Sequence, residues 1–197
     1  MMLRTVAILR GHDPQRAVDL AQRSWALGID LVEVPVQGEV GWGALQAVAQ
    51  CAQGRPVGAG TVLTTEEVRR AVDLGCSVII SPGLDEQVVE ASLARGVCPL
   101  PGVMTATEVG AACRLGLRLC KLFPAEIVGT RWLAAMHGPF PTMSFIAVGG
   151  IGVGNACEFL SAGASGVAFG KSLDDLLRQE DPRGFVASLH GQLIQRV

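Results

Sequence analysis

Val57-Gly58-Ala59-Gly60-Thr61-Val62-Leu63-Thr64-Thr65-Glu66-Glu67-Val68-Arg69-Arg70-Ala71-Val72-Asp73-Leu74-Gly75-Cys76-Ser77-Val78-Ile79-Ile80 holds one complete strand–helix–strand unit. A short apolar run from Val57 to Gly60 ends at a threonine. Thr64 or Thr65 then caps a helix, with Glu66 and Glu67 in the first turn, where the helix dipole favours negative charge. Val68, Ala71, Val72 and Leu74 continue the helix, and Gly75 stops it by offering a left-handed backbone without a Cβ clash. Val78-Ile79-Ile80 begins the next run. Near-continuous apolarity in runs this short is expected of parallel strands covered on both faces.

The unit recurs in both directions. Strand-like runs occur at Thr5–Leu9, Leu31–Val34, Val57–Gly60, Val78–Ile80, Val97–Leu100, Leu117–Cys120, Phe145–Val148 and Gly166–Phe169. Asp13-Pro14 opens a helix whose face carries Ala17, Leu20, Ala21 and Ser24 and ends at Gly28; Thr105-Ala106-Thr107-Glu108 opens another that Gly116 closes. Eight strand–helix units in one chain predict an α/β fold, a compact (β/α)8 TIM barrel forming a single domain over residues 1–197. The rival, an open doubly wound sheet, needs fewer strands or a dinucleotide loop, and no G-x-G-x-x-G follows the first strand. The final segment, Arg183 to Gln195, spaces Phe185, Val186, Leu189, Leu193 and Ile194 as a helix does.

Composition narrows the function. Of 197 residues, 49% are hydrophobic and 17% charged, the reverse of a disordered chain. A formal net charge of −2 gives no global reason to coat nucleic acid or an anionic membrane. Six cysteines without a CxxC pair read as free thiols, and His12, His137 and His190 are too scattered for a zinc or iron centre, so no metal and no cofactor are expected. The N-terminal residues lack a signal-peptide pattern and no run reaches membrane-spanning length, so the cytoplasm is the expected compartment.

Barrel chemistry belongs at the C-terminal ends of the strands. Two ionisable residues stand there inside apolar runs. Lys121 lies between Leu117-Arg118-Leu119-Cys120 and Leu122-Phe123-Pro124. An ammonium buried in such surroundings loses hydration, which lowers its pKa, and a neutral amine is what Schiff-base chemistry requires. A snorkelling or ion-paired lysine is the plainer alternative. Glu33, in Leu31-Val32-Glu33-Val34-Pro35, shares a strand face with Leu31. Pointing inward it needs a partner, and Lys121 across the mouth suits either a proton shuttle or a chemically idle ion pair. Gly149-Gly150, before a helix expected near Gly152, and Gly170-Lys171-Ser172 read as a phosphate cradle or as ordinary turns. Thr61 offers a hydroxyl to a carboxylate or caps a helix. Arg10 pairs with a substrate anion or stands exposed beside Asp13.

Seven segments, in order and each at an expected strand end, carry a resemblance. They are Val6-Ala7-Ile8-Leu9-Arg10-Gly11, Glu33-Val34-Pro35-Val36, Gly58-Ala59-Gly60-Thr61-Val62-Leu63, Ile80-Ser81-Pro82-Gly83, Pro101-Gly102-Val103-Met104-Thr105-Ala106-Thr107-Glu108, Lys121-Leu122-Phe123-Pro124-Ala125 and Val148-Gly149-Gly150-Ile151. With these the chain resembles the 2-keto-3-deoxy-6-phosphogluconate and 2-keto-3-deoxy-6-phosphogalactonate aldolases. The resemblance implies a trimeric barrel that cleaves a phosphorylated 2-oxo sugar acid to pyruvate and D-glyceraldehyde 3-phosphate without a metal. It gives the Schiff base to Lys121 and proton transfer to Glu33. It places Thr61, Ser81, Pro82 and Gly83 around the pyruvyl carboxylate, Phe123 beside the lysine, and Gly149, Gly150 and Gly170 at the phosphate, where Lys171 and Ser172 add to the cradle. Gln37, which the resemblance counts among the substrate-binding residues, stands where the gluconate branch carries arginine. An amide there, with Arg10 closing the first strand, resembles the galactonate branch, whereas Lys121-Leu122-Phe123-Pro124-Ala125-Glu126 resembles the gluconate one. Two other readings keep the glycine turns but need no imine: a barrel isomerase or synthase acting on another phosphometabolite, and a non-catalytic phosphate-binding module.

Overall fold

The computed structural model describes residues 3–194. Its elements run β1 (Thr5–Ile8), α1 (Pro14–Ala26), β2 (Leu31–Pro35), α2 (Gly38–Cys51), β3 (Val57–Gly60), α3 (Thr65–Asp73), β4 (Val78–Ser81) and α4 (Glu86–Ala94). They continue with β5 (Cys98–Val103), α5 (Ala106–Arg114), β6 (Leu119–Leu122), α6 (Ala125–Val128), α7 (Arg131–His137), β7 (Ser144–Val148), α8 (Ala156–Ser161), β8 (Gly166–Phe169), α9 (Leu173–Leu177) and α10 (Pro182–Ile194). All eight strands are parallel and sequential neighbours pair. β8 closes on β1 through Thr5 opposite Val167 and Val6 opposite Ala168. The closed (β/α)8 barrel of the sequence reading is therefore present, and the open sheet is not.

The helix signals act where they were read. Asp13 accepts from the Arg16 N–H at 3.0 Å with Pro14 at the first helical position. Thr64, not Thr65, caps α3 in a reciprocal capping box with Glu67, and Thr105 does the same for α5 with Glu108. Gly75 takes φ +91° just past α3, as a helix-stopping glycine should. α10 carries Phe185, Val186 and Leu189; the side chains of Leu193 and Ile194, and Gln195 altogether, lie outside the described residues. No helix among the described residues is long and apolar enough to cross a membrane.

Two apolar layers hold the barrel. One fills its interior with Val6, Ile8, Leu31, Val78, Ile80, Leu100, Ile146, Val148 and Ala168. The other lies between strands and helices and takes the alternate residues, such as Ala7, Val32, Ile79, Cys120, Ala147 and Val167. This period of two, fixed by the pleat, decides which side chains near the strand ends face the lumen.

Candidate active site

β2 and β6 stand four positions apart in an eight-stranded barrel, so they face each other across it. The interior layer includes Leu31 on β2 and packs against Leu119 on β6. Two residues further along, the same phase turns Glu33 and Lys121 inward above that layer. They are 3% and 5% exposed and line a cavity of about 640 Å³ at the C-terminal mouth.

The Lys121 amine is neither snorkelling nor ion-paired. Among the described residues no carboxylate oxygen comes within 4.0 Å of its Nζ, so the idle Glu33–Lys121 contact pair does not form. The two groups feel each other's field across the cavity instead. Burial pushes the Lys121 pKa below the usual 10.5; the Glu33 carboxylate opposes this and the Arg10 guanidinium reinforces it. Burial likewise pushes the Glu33 carboxyl above 4.5, against the pull of Lys121 and Arg10. Both members are thus biased towards their neutral forms. The ring of Phe123 lies 5.0 Å from Nζ, beside the lysine as the resemblance implies. The whole chain has only two lysines, Lys121 and Lys171, and both line this cavity.

A glycine makes room for the acid. A Cβ at Gly60 would overlap the Glu33 carboxylate, with the Glu33 Cδ only 2.8 Å away. If Glu33 transfers a proton, as the resemblance implies, Gly60→Ala should swing it out of line and lower kcat by about a hundredfold, the cost of misplacing a reacting group by roughly an ångström. Steady-state kinetics on a folded variant checks this; unchanged kcat would show that the position of Glu33 is immaterial.

The anion-binding candidates separate into those that meet at the cavity and those that do not. Arg10, Thr61, Pro82, Phe123, Gly149, Gly150, Gly170, Lys171 and Ser172 all line it. Arg10 is not simply exposed: its Nη2 donates to Thr61 Oγ1 at 3.3 Å and its Nη1 to Gln37 Oε1. Thr61 does not cap α3, a task taken by Thr64, and it holds φ +58°, a region that a β-branched residue enters only when its surroundings impose it. Ser81 and Gly83 stay behind the wall. Val78 and Ile80 fill the lumen, so Ser81 points outward, and its hydroxyl donates to the Gly83 carbonyl at 2.7 Å. Pro82 alone of that turn reaches the cavity, and Gly102 permits its approach, since a Cβ there would strike the Pro82 carbonyl.

At the opposite side of the mouth, Gly149 and Gly150 adopt φ +96° and +76°. A Cβ on Gly149 would press on the Phe123 ring at 3.1 Å. No helix starts near Gly152. The turn is held instead by Asn155, which accepts from the Gly152 N–H at 2.8 Å and donates to the Gly150 carbonyl at 3.0 Å, and α8 begins at Ala156. Ser172 spends its hydroxyl proton on the Ile151 carbonyl at 2.5 Å, tying the two glycine turns together. Glu126 also lines the cavity, folded against Gly150, and sequence reasoning did not assign it. Its signal was its place in the first turn of α6, the short helix that follows β6 and Lys121.

Other nucleophiles are poorly placed. Burial raises the thiols of Cys76 and Cys120 to about 12, so neither supplies a thiolate near neutrality. Among the described residues no group of three or more His, Cys, Asp or Glu gathers as a metal site would require.

A barrel with an amine and a carboxylate facing each other over a deep cavity has the layout of a carbon–carbon lyase, and known proteins agree. The family model for "KDPG and KHG aldolase" matches residues 1–182. A probable 2-dehydro-3-deoxy-6-phosphogalactonate aldolase of Rhizobium meliloti is 32% identical over 170 residues, 85% of this chain and 80% of that one. A 2-dehydro-3-deoxy-phosphogluconate aldolase of Treponema pallidum is 33% identical over 160 residues, 81% of this chain and 76% of that one. The solved KDPG aldolase of Legionella pneumophila, with pyruvate captured as a covalent carbinolamine, superposes with a TM-score of 0.81 at 27% identity, covering 98% and 92% of the two chains. The chain belongs to the KDPG and KHG aldolase family.

Proposed function

We propose that this chain cleaves 2-keto-3-deoxy-6-phosphogalactonate, with the phosphogluconate epimer as the poorer substrate, to pyruvate and D-glyceraldehyde 3-phosphate through a Schiff base on Lys121. The observation that carries the reading is a buried amine, biased towards its neutral form, facing a buried acid across a cavity with no contact between them. The neutral Lys121 amine adds to the C2 carbonyl and water leaves, giving an iminium. Glu33 accepts the C4 hydroxyl proton through a water in the gap, the C3–C4 bond breaks, and its electron pair enters the iminium as an enamine. The aldehyde departs, C3 takes up a proton, and hydrolysis of the imine returns pyruvate and the free amine. The iminium is the electron sink, so these steps proceed without a metal or a cofactor.

The geometry supports a polarity for the substrate. Arg10, Thr61 and Pro82, which follow β1, β3 and β4, suit a carboxylate, while Gly149, Gly150, Gly170 and Lys171, which follow β7 and β8, suit the phosphate. Ser81 and Gly83 then act only by shaping the Pro82 turn, and Ser172 by bracing the Ile151 loop. Binding the two anions at opposite ends fixes the bond that breaks. The homotrimer implied by the resemblance belongs to the same proposal.

Release of pyruvate from each C4 epimer, coupled to NADH oxidation by lactate dehydrogenase, tests the reading. The galactonate epimer should show the larger kcat/KM. Reversed preference would move the chain to the gluconate branch. Ligand binding without pyruvate release would favour the non-catalytic module, which the family likeness makes the weaker reading.

A further inference from the structure

We propose that Gln37 is a positioning residue, whose side-chain carbonyl holds the Arg10 guanidinium over the cavity without itself touching substrate. This rests on the aldolase reading above and assigns Gln37 a task that the substrate-contact role implied by resemblance does not. Gln37 is absent from the cavity lining, whereas Arg10 is part of it.

Two independent features support the assignment. Gln37 occupies the N-cap position of α2, where Asn, Asp, Ser or Thr would bond the exposed N–H groups of the first turn. It makes no such bond. Its Oε1 accepts from Arg10 Nη1 instead, across from the neighbouring strand end. The helix thus forgoes a cap while the longer amide reaches the arginine. The second feature is Thr61, which takes the other terminal nitrogen of Arg10 from a left-handed backbone. Acceptors from the ends of β2 and β3 therefore pin both nitrogens of an otherwise exposed, flexible side chain, fixing the guanidinium plane. The remaining N–H donors are left for an anion.

The choice of an amide matters. A carboxylate at position 37 would hold the arginine equally well but cancel its charge, whereas a neutral carbonyl positions it and leaves the charge for the substrate. The same charge also reaches Glu33 and Lys121, favouring the carboxylate of one and the free amine of the other. The remaining ionisable groups facing Arg10 are Glu126 and Lys171 in the main cavity, and His12 and Asp174 in a smaller chamber alongside it. Asp174 is engaged by Arg16 at 3.1 Å.

A double-mutant cycle decides the matter. Gln37→Asn restores a good N-cap but is one methylene too short to keep the Arg10 contact. It should unfold at the same or a higher temperature than wild type while KM for the phosphorylated keto acid rises about tenfold with little change in kcat. The acid side of the kcat/KM pH profile should move to higher pH, because Glu33 and Lys121 must each lose a proton to act and both lose part of the Arg10 field. In an Arg10→Ala background the same substitution should change neither KM nor the profile. Unchanged KM with Arg10 present, or an equal fold-change in both backgrounds, would overturn the proposal. Should wild type release no pyruvate, the aldolase reading fails separately. The cycle is then read as binding of 3-phosphoglycerate, which carries both a carboxylate and a phosphate. Weakening by Gln37→Asn only when Arg10 is present supports positioning, and equal affinities or no binding in any variant overturn it.

Discussion

Replacing Lys121 with alanine should lower turnover by roughly four orders of magnitude or more, the scale of loss when a covalent nucleophile is removed. The fold should survive, because the residue serves the cavity and not the packing: its apolar neighbours Leu119, Ile146 and Ile80 fill the layer below. A Lys121→Met variant, which keeps the volume, should be at least as stable as wild type near neutrality. The sign follows from linkage. The folded-state pKa of Lys121 lies below 10.5, so between that value and 10.5 the unfolded chain binds a proton that the folded chain lacks. Wild-type stability therefore rises with pH through this window and is lost as pH falls through the folded value. Methionine removes that slope. Chemical denaturation from neutral to alkaline pH checks it, and a variant that retains turnover within a factor of ten of wild type would remove Lys121 from the chemistry.

Glu33→Gln should lower kcat by about 10²- to 10⁴-fold, the usual contribution of a positioned base, while leaving the lysine able to form an imine with pyruvate. Wild-type kcat/KM should fall with acid through an apparent pKa above 4.5, since Glu33 must be ionised to accept the C4 hydroxyl proton and burial holds its pKa up. The variant should lose that limb. Stability moves the other way. Because the folded pKa is raised, the contribution of Glu33 is full below 4.5 and declines as pH climbs through the folded value. The limb set by deprotonation of Lys121 remains; a profile whose acid side is unchanged from wild type in Glu33→Gln would give the proton transfer to another group. Glu126, at the same cavity, is the first to examine.

The sequence disclosed the barrel because each unit repeats its own punctuation. Asp13-Pro14, Thr64 with Glu67, and Thr105 with Glu108 start helices by local hydrogen bonds that need no tertiary help. Lys121 and Glu33 stood out for a similar reason: a charge inside an apolar run has no bland place to go. The phase of a strand was harder to read. Val78-Ile79-Ile80 is apolar on both faces, so nothing local showed that Ser81 turns away from the lumen while Pro82 faces it. The same ambiguity shifted β6, read from Leu117 but formed by Leu119–Leu122, which places Lys121 inside the strand and not beyond it. β5 likewise runs on to Val103, past the expected end at Leu100. The start of the helix after β7 depended on Asn155 folding back onto Gly150 and Gly152, a local side-chain contact with no periodic signature. Gln37 was singled out for its residue type, but its partner, Arg10, lies 27 residues away and emerges only when β1 and β2 are laid side by side.

Borohydride reduction in the presence of pyruvate tests the central claim most directly, and a chain with two lysines makes the readout unambiguous. The iminium, reduced by hydride, becomes a stable secondary amine, so peptide mass spectrometry should place one carboxyethyl group on Lys121 and none on Lys171. Modification of Lys171 alone, or no adduct where a known lysine aldolase is labelled in parallel, would contradict the account.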